Sequence, residues 1–335
     1  MKNHEHYIKR CIELAQNGLG TTYPNPLVGS VIVYDGKIIG EGWHQKAGGP
    51  HAEVHAIRSV KNPELLPFAT IYVSLEPCSH FGKTPPCSDL IIKHQIPNIV
   101  IGTIDPFAKV AGNGIKKLVE AGRNVTVGIL EDECNQLNKR FFTFHNKKRP
   151  YIILKWAESQ DGFLAPLTKQ NRQPVWITNH CSRQLVHKWR TEEQAILVGT
   201  QTVIDDNPSL TARDWKGNNP IRIVLDQNNR ISKENHIFDN LAKTLVLSSN
   251  TIDYSKNIGI QITDFLFQNN IQSVIIEGGR KTLQTFIDEK LWDEARIFKG
   301  PIYFENGIQS PFINKKEGVK NTIVEDELLI FFNND

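Results

Sequence analysis

Residues 49–53 read GPHAE, and residues 76–87 read EPCSHFGKTPPC. Together they supply one imidazole, from His51, and two thiols, from Cys78 and Cys87. These are ligand types that tetrahedral Zn²⁺ takes, and three protein ligands leave its fourth position for water, as in catalytic sites. Glu53 follows His51 by two residues, so it can face that position and carry protons without binding the metal. We therefore predict a catalytic zinc site with His51, Cys78 and Cys87 as ligands and Glu53 as the proton carrier.

Two other interpretations compete with this one. His55 lies four residues after His51, as in the zinc-binding helix of metalloproteases, but that motif needs Glu directly after its first His, where Ala52 stands. A zinc-stabilised binding protein without turnover would carry a fourth protein ligand and would not need Glu53. The His-x-Glu and Pro-Cys pair follows the zinc-deaminase signature instead, although eight residues separate its two cysteines.

The composition favours a soluble globular protein. Charged residues make up 22% of the 335 and apolar residues 39%, and the net charge of +3 is too small to predict binding to nucleic acid or a membrane surface. No apolar run is long enough for a membrane span, and the start, MKNHEH, lacks the apolar core of a signal peptide. Five cysteines are an odd and sparse set for a disulfide framework. We expect a cytoplasmic protein whose thiols stay free for metal.

The first half alternates helical and strand patterns. The dipeptide Asp35-Gly36 between two strand-like runs predicts a hairpin, and we expect the metal ligands at helix starts that follow strands. The alternation predicts a mostly parallel sheet between helices. The predicted helices are 4–17, 51–59, 87–93, 115–120 and 131–144, and the predicted strands are 27–34, 37–41, 70–75, 98–102 and 125–129.

A basic stretch, HNKKRP at 145–150, separates the two halves, because Pro150 disfavours helix before it. We predict domains at 1–145 and 151–335 with a linker at 146–150. In the second domain, EGG at 277–279 ends a strand and opens a helix, where phosphates can approach backbone N–H groups, although such a pair is as often a plain turn. The predicted strands there are 151–157, 195–198, 221–225, 244–247, 273–277 and 325–332, and the predicted helices are 180–190, 264–269 and 282–289.

The motifs of the first half resemble the deaminase half of the bifunctional riboflavin-biosynthesis deaminase–reductase family. They are PNPLVG at 24–29, HAE at 51–53, EPCSHFGKTPPC at 76–87, whose long cysteine spacing is that of the family, and DPFAKVAGNG at 105–114. The resemblance implies a cytidine-deaminase-like, three-layer α/β domain that acts on 2,5-diamino-6-(5-phosphoribosylamino)pyrimidin-4(3H)-one. It also implies that this substrate is contacted by Asn25, His44, His80 and Lys83.

The second half resembles the reductase half of the same family, whose fold is similar to dihydrofolate reductase. The motifs are KWAESQDG at 155–162, WIT at 176–178, VGTQTVIDDNPSLTAR at 198–213 and EGG at 277–279. The resemblance implies NADPH as the cofactor. It assigns cofactor contacts to Ala157, Trp176, Thr202, Asp206, Gly279 and Thr285, and substrate contacts to Arg190, Leu210, Arg213 and Glu277. Arginine suits a sugar phosphate because guanidinium binds phosphate oxygens in pairs.

The resemblance predicts an enzyme that makes 5-amino-6-(5-phosphoribosylamino)uracil at the zinc site and then reduces its ribosyl group to a ribityl chain with NADPH. We expect small pyrimidine ribosyl phosphates as partners, no nucleic acid, no membrane, and a homo-oligomer. The alternative is a nucleic-acid or nucleoside zinc deaminase with a fused non-reducing domain.

The reductase half departs from the family pattern at two places and contains one candidate acid. Pro174 stands where family members often carry a substrate-facing Ser, and in the region after Trp292 the stretch FKGPIYFENG at 298–307 lacks the family's usual apolar, Gly-ended run. Asp161 is a candidate acid for the reduction on position only, and a turn carboxylate is the commoner role.

Overall fold

The computed structural model divides the chain into two compact units, Met1–Lys147 and Lys148–Asp335. This division lies inside the linker predicted at 146–150. Pro174 lies outside the residues that the structure describes, which are 2–81, 85–107, 111–168, 175–314 and 318–333.

The first unit is a three-layer α/β domain. Its elements are α1 (Lys2–Gln16), β1 (Gly29–Tyr34), β2 (Lys37–Trp43), α2 (Ala52–Ser59), a 3-10 helix (Pro63–Phe68), β3 (Thr70–Leu75), α3 (Cys87–Lys93), β4 (Asn98–Thr103), α4 (Asn113–Glu120), β5 (Asn124–Val127), α5 (Glu131–Leu137) and α6 (Lys139–Lys147).

The five strands of the first unit lie in the order β2-β1-β3-β4-β5. The pairs β3–β4 and β4–β5 are parallel, whereas β1 is antiparallel to both β2 and β3. The hairpin predicted at Asp35-Gly36 is confirmed: both residues have positive φ, 49° and 70°, as the tight turns of hairpins require. This hairpin supplies antiparallel pairs, so the sheet is mixed and not mostly parallel.

Apolar side chains from both faces of this sheet are buried, because helices cover both faces. The layer under α1 and α5 contains Ile8, Cys11, Val31 and Cys134. The opposite layer, under α2, α3 and α4, includes Ala56, Ile71, Ile91, Ile99 and Leu118. The prediction that Cys11 is a core residue is therefore confirmed.

The single helix predicted over 131–144 is wrong, because the structure has two helices that meet at Asn138. The Asn138 side chain pairs with the backbone of Leu27, accepting from its N–H and donating to its carbonyl, both at 2.8 Å. An asparagine that bonds to a distant backbone in this way competes with helix continuation.

The second unit is also an α/β domain with helices on both faces of a sheet. Its elements are β6 (Tyr151–Glu158), β7 (Phe163–Pro166), α7 (His180–Glu192), β8 (Ala195–Gly199), α8 (Thr200–Asp206), β9 (Ile221–Leu225), a 3-10 helix (His236–Phe238), β10 (Thr244–Leu247), α9 (Ile258–Gln268), β11 (Ser273–Ile276), α10 (Arg280–Asp288), β12 (Glu294–Lys299), β13 (Gly307–Gln309), β14 (Val319–Ile323) and β15 (Asp326–Phe332).

The main sheet of the second unit has the order β10-β9-β8-β11-β6-β12-β15-β14, and β13 pairs separately with β7. The strands from β10 to β12 are all parallel, and β15 and β14 add an antiparallel edge. One face packs against α9 and α10, through Ile262, Leu266 and Phe286, and the other against α7 and α8, through Val186 and Val203.

The strand β12 was not predicted, although it lies in the middle of this sheet. Its sequence, EARIFK, places two charged residues in the core, which hides the strand pattern. Glu294 accepts a 2.7 Å hydrogen bond from Arg296, and Tyr151 donates to the same carboxylate. The stretch that departs from the family pattern, 298–307, begins with the last two residues of this strand and continues to the first residue of β13. None of the helices in the described part of the chain has the length and apolarity that crossing a bilayer requires.

Candidate metal centre and cofactor cleft

The fold of the first unit brings together His51, Cys78 and Cys87, whose ligand atoms all lie within 4.8 Å of one another. His51 Nδ1 is 3.5 Å from Cys78 Sγ and 3.3 Å from Cys87 Sγ. A tetrahedral zinc with ordinary Zn–N and Zn–S bonds needs N-to-S separations of about 3.6 Å. The three donors therefore fit zinc in both chemical type and spacing.

Local structure holds each of these donors. His51 is the N-cap of α2, with extended backbone, and Cys87 is the first residue of α3. Cys78 follows β3, and its sulfur accepts a 3.3 Å hydrogen bond from the Cys87 backbone N–H. The Cys87 side chain, followed by His51, lowers the pKa of Cys78. A thiolate is the form that binds zinc, so this environment prepares Cys78 for the metal.

Glu53 lies in the first turn of α2, on the same helix end as His51, and its side chain is buried, with 3% of its surface exposed. Burial raises the pKa of the Glu53 carboxyl, although the nearby imidazole of His51 partly opposes this. A buried carboxyl with a raised pKa accepts a proton more readily than an ordinary glutamate and can then release it.

Two of the four predicted substrate residues of the first unit are hydrogen-bonded to each other. Asn25 Nδ2 lies 3.0 Å from His44 Nε2, and His44 Nδ1 lies 3.0 Å from the carbonyl oxygen of Pro50. Because a carbonyl only accepts, Nδ1 carries the His44 proton and Nε2 accepts from Asn25. Burial lowers the pKa of His44, consistent with a neutral ring. The His44 ring is 5.5 Å from that of His51, so the pair borders the metal ligands.

The other two predicted substrate residues stand between the two cysteines in the sequence. His80 is exposed. Lys83 lies outside the described residues, so its predicted role stays a prediction.

Glu76 is a buried residue of the first unit whose role the sequence did not reveal. Its carboxylate accepts hydrogen bonds from four backbone N–H groups of the connection between β4 and α4, namely Asp105, Gly112, Gly114 and Ile115. The sequence signal was the glutamate that opens EPCSHFGKTPPC, but nothing in the spacing pointed to its partners.

The second unit contains a cleft of about 750 Å³, a volume typical of small-molecule sites. It lies beyond the carboxyl ends of parallel strands β8, β9 and β11, where open α/β sheets bind ligands. Of the ten reductase residues predicted from the resemblance, those lining it are Ala157, Trp176, Arg190, Thr202, Asp206, Arg213, Glu277, Gly279 and Thr285.

Leu210, the tenth, is not in this lining. It is buried in the core, with 3% exposure and a positive φ of 53°. The guanidinium of Arg222, fully buried beneath this loop, donates to the carbonyl of Ser209 and so fixes the backbone next to Leu210. Any contact between Leu210 and a substrate thus stays a prediction.

A buried charge cluster occupies one wall of the cleft. Arg190 Nη2 donates to Glu277 Oε2 at 2.9 Å, and Lys155 Nζ lies 3.8 Å from Glu277 Oε1. The register that pairs Leu154 with Ile276 places Lys155 and Glu277 side by side. Burial lowers the pKa of Lys155, while Arg190 and Lys155 outweigh burial and lower the pKa of Glu277.

This cluster leaves hydrogen-bonding capacity for a ligand. Within the described structure, Arg190 Nε and Glu277 Oε1 are buried and have no hydrogen-bond partner. Buried polar atoms without partners are rare, and at the edge of a cleft they fit the hydroxyl groups of a sugar.

The sequence missed Lys155, although a lysine inside the apolar strand YIILKWAE was a signal.

Two further features of the cleft fit a dinucleotide. Gly279 precedes α10, and a Cβ added there would meet nothing closer than 3.7 Å, so a phosphate has room at the helix N-terminus. Trp176 is 55% exposed in the cleft wall, and the Arg183 guanidinium lies 4.7 Å from its ring centroid. The residues present therefore fit NADPH, with Trp176 as an aromatic surface for a ring.

Asp161 has the turn role and not that of a cleft acid. Its carboxylate accepts from the backbone N–H groups of Phe304 and Glu305 and from the Ser159 hydroxyl. The Ser159 hydrogen bond lowers the pKa of Asp161, so this group is ionised and engaged in joining the turn to the segment before β13.

Two family models match the chain. The model described as cytidine and deoxycytidylate deaminase zinc-binding region matches residues 1–103, and the one described as RibD C-terminal domain matches residues 150–325. The two matches together leave residues 104–149 and 326–335 uncovered.

Curated relatives match over nearly the whole chain. The riboflavin biosynthesis protein RibD of Aquifex aeolicus is 38% identical and covers 98% of both chains. The Escherichia coli protein of the same name is 42% identical over 72% of this chain and 68% of its own.

Solved structures agree with these relatives. A deaminase/reductase from Thermotoga maritima, whose name gives diaminohydroxyphosphoribosylaminopyrimidine deaminase and 5-amino-6-(5-phosphoribosylamino)uracil reductase, has a TM-score of 0.87, 36% identity and 98% coverage of both chains. The RibD of Acinetobacter baumannii has a TM-score of 0.86, 32% identity and 99% coverage of both.

Proposed function

Because this chain belongs to the RibD family of riboflavin-biosynthesis proteins, we propose that it deaminates 2,5-diamino-6-(5-phosphoribosylamino)pyrimidin-4(3H)-one and then reduces the ribosyl group of the product. It is a bifunctional enzyme with a zinc-dependent deaminase and an NADPH-dependent reductase in one chain. The cluster of His51, Cys78 and Cys87 beside buried Glu53 is the observation that carries the deaminase half. The roles of individual residues below are proposals.

In the deaminase site, His51, Cys78 and Cys87 hold the metal. When bound, zinc activates a water molecule for attack on the ring carbon that carries the amino group. Glu53 would move the two protons of that water in turn, the first to the adjacent ring nitrogen as oxygen adds to the carbon and the second to the leaving nitrogen, so the C–N bond breaks, a C=O bond forms and ammonia leaves. The buried carboxyl suits both steps because its pKa is raised.

Asn25 and His44 orient the pyrimidine. The neutral His44 ring fixes the Asn25 amide through the 3.0 Å hydrogen bond, so the direction in which Asn25 presents its oxygen is set before substrate binds. We assign the polar and phosphate ends of the substrate to His80 and Lys83, which stand between the two cysteines in the sequence.

In the reductase site, Trp176, Gly279 and the start of α10 hold the cofactor. NADPH, when bound, supplies the hydride for the ribosyl carbon. Glu277 and Arg190 bind sugar hydroxyls through their unpartnered buried atoms. Lys155 donates a proton to the ring oxygen as the carbon–oxygen bond of the ribose opens, so the added hydride and proton together give the ribityl chain. Lys155 suits this role because burial lowers its pKa.

The experiment that tests this function incubates purified protein with the diaminopyrimidine substrate, with and without NADPH, and identifies the products by mass. Without NADPH, the product should have an amino group replaced by oxygen. With NADPH, it should also gain two hydrogens. An unchanged substrate in the first sample would contradict the deaminase half, and an unreduced product in the second would contradict the reductase half.

Three further expectations from the sequence are part of the proposal. We propose that nucleic acid is not a substrate, and RNA or DNA that competes with the small substrate would contradict this. We also propose a homo-oligomer, which sedimentation would detect, and a cytoplasmic location.

A further inference from the structure

The buried carboxylate of Glu76 binds backbone N–H groups of the start of α4 and of the loop that precedes it. Its Oε1 accepts from Gly114 at 2.9 Å and Ile115 at 3.3 Å, and its Oε2 accepts from Gly112 at 2.9 Å and Asp105 at 3.4 Å. The residue has 4% of its surface exposed. The carboxylate thus binds the first turn of α4 and the loop before it, where the helix dipole favours negative charge.

The backbone around Glu76 is fixed on the same side. The Glu76 N–H donates to the carbonyl of Thr103, the last residue of β4, at 3.0 Å. The next residue, Pro77, packs so tightly on Gly114 that a Cβ there would collide with the Pro77 carbonyl oxygen. The segment that leads into Cys78 is therefore attached to the β4–α4 connection by side chain and backbone together.

Cys78 is held on its other side by α3. Its carbonyl accepts from the Ser88 N–H at 3.1 Å, and its sulfur accepts from the Cys87 N–H at 3.3 Å. The position of the sulfur relative to His51 Nδ1 thus depends on two attachments, one from α3 and one from the Glu76 carboxylate. Only the attachment through the Glu76 carboxylate connects this segment to α4.

We propose that Glu76 is a positioning residue of the metal centre: it holds the Cys78 sulfur at the distance from His51 and Cys87 that zinc requires. The inference rests on the zinc site proposed above. It extends that site to a carboxylate that is not among the metal ligands. Groups that orient metal ligands in this indirect way affect affinity as well as activity.

The competing explanation is that Glu76 only caps α4. Glu289 offers a matched control, because its carboxylate accepts from the Gly259 and Ile260 N–H groups in the first turn of α9, in the second unit. Removal of the Glu289 charge should destabilise the first turn of α9 and leave the positions of the metal ligands unchanged.

The test uses the full-length chain as wild type, Glu76→Gln and Glu289→Gln. Gln presents an N–H₂ group where Glu76 accepts hydrogen bonds, so part of the attachment is lost. We expect the Zn²⁺ affinity of Glu76→Gln, measured by competition with a chromophoric chelator, to fall by roughly 10- to 100-fold. The Co²⁺-loaded variant should show a displaced or weakened thiolate-to-metal absorption band. Glu289→Gln should match wild type in both measurements.

The outcomes separate this inference from the proposed function. A wild-type chain that binds no zinc would contradict the deaminase site itself. If wild type binds zinc, and Glu76→Gln has the same affinity and Co²⁺ spectrum but melts earlier, Glu76 is only a helix cap. If Glu76→Gln cannot be purified, Glu76→Asp decides in the same assays: it keeps the charge but is too short to reach all four N–H groups. Wild-type zinc affinity in Glu76→Asp would overturn the inference, and reduced affinity would support it.

Discussion

The two units of this chain build their sites in different ways. In the first unit, the metal ligands and Glu53 come from residues 51–87, and they converge at the starts of two adjacent helices. In the second unit, the cleft is lined by residues spread from Lys155 to Ile308. Metal chemistry needs a few donors at fixed short distances, whereas a dinucleotide and a sugar phosphate need a long surface with many separate contacts.

This difference predicts how each site responds to substitution. A site in which a few groups do the chemistry should fail when one is changed. A site that distributes binding over many residues should lose affinity in small steps, except at a group that transfers a proton. Four substitutions test this contrast, and the loss that we expect decreases from Glu53 to Lys155, Trp176 and His187.

Glu53→Gln should lower deamination by roughly 10³- to 10⁴-fold, because Gln cannot carry the proton from water to the leaving nitrogen. Zinc content should stay at about one per chain, because Glu53 is not a ligand. Ammonia release and metal analysis measure the two effects. Glu41→Gln, which alters a surface partner of Arg10 in the same unit, should leave ammonia release unchanged. Rapid ammonia release by Glu53→Gln would remove Glu53 from the mechanism.

Lys155→Met should slow the reduction by roughly 10²- to 10³-fold, because the sugar oxygen loses its proton donor while the buried volume stays similar. NADPH oxidation with the deaminated substrate measures this rate, and deamination should not change. Lys188→Met, which removes a lysine paired with Glu192 on α7, is the control. If both lysine variants reduce the substrate equally well, the proton comes from another group.

Trp176→Leu should weaken NADPH binding by only about 3- to 10-fold, because one aromatic surface among many contacts is lost. Quenching of tryptophan fluorescence by NADPH measures the affinity, since five of the six tryptophans lie in the second unit. Trp215→Leu changes another exposed tryptophan of that unit that does not line the cleft, so its affinity should equal that of wild type. A complete loss of NADPH binding in Trp176→Leu would show that one residue, and not many separate contacts, supplies most of the binding energy.

The smallest expected effect concerns the pH dependence of stability. Burial, with Arg190 and Arg213, lowers the pKa of His187 from 6.5 to about 4. As the pH falls below 6.5, the unfolded chain takes up a proton that folded His187 does not take up until about pH 4. Stability is therefore lost between pH 6.5 and 4, and it is fully present above pH 6.5.

His187→Gln should remove this loss. Between pH 7 and 5 we expect it to lose about 1 kcal/mol less stability than wild type, or about 2–4 °C in Tm followed by tryptophan fluorescence. The expected effect is smaller than the full pKa difference would give, because solvent screens charges near the surface such as that of half-exposed Asp214, 3.1 Å from Nε2. His236→Gln, at an exposed histidine, should behave as wild type. An unchanged pH profile in His187→Gln would show that His187 titrates normally.

The local elements of the fold could be predicted where one physical signal dominated. The strands at 70–75, 221–225 and 244–247 and the helix at 87–93 have the predicted bounds, because their apolar runs are bordered by turn residues. The predictions failed where a polar side chain had a distant partner. Asn138 ends a helix through Leu27, and Glu294 and Arg296 lie in a central strand because they pair with each other.

The zinc chemistry could be inferred from the amino-acid sequence alone, since the residue types that bind zinc and move the protons of its water are few and stand in short motifs. The sequence also indicated two α/β domains, because periodic apolar residues report which face of each element is buried. Only the tertiary structure decided that Glu76 binds the start of α4, that Lys155 lies beside Glu277, and that Asn25 meets His44. Those contacts depend on strand register and loop path over long sequence separations, and no local pattern of residues encodes them.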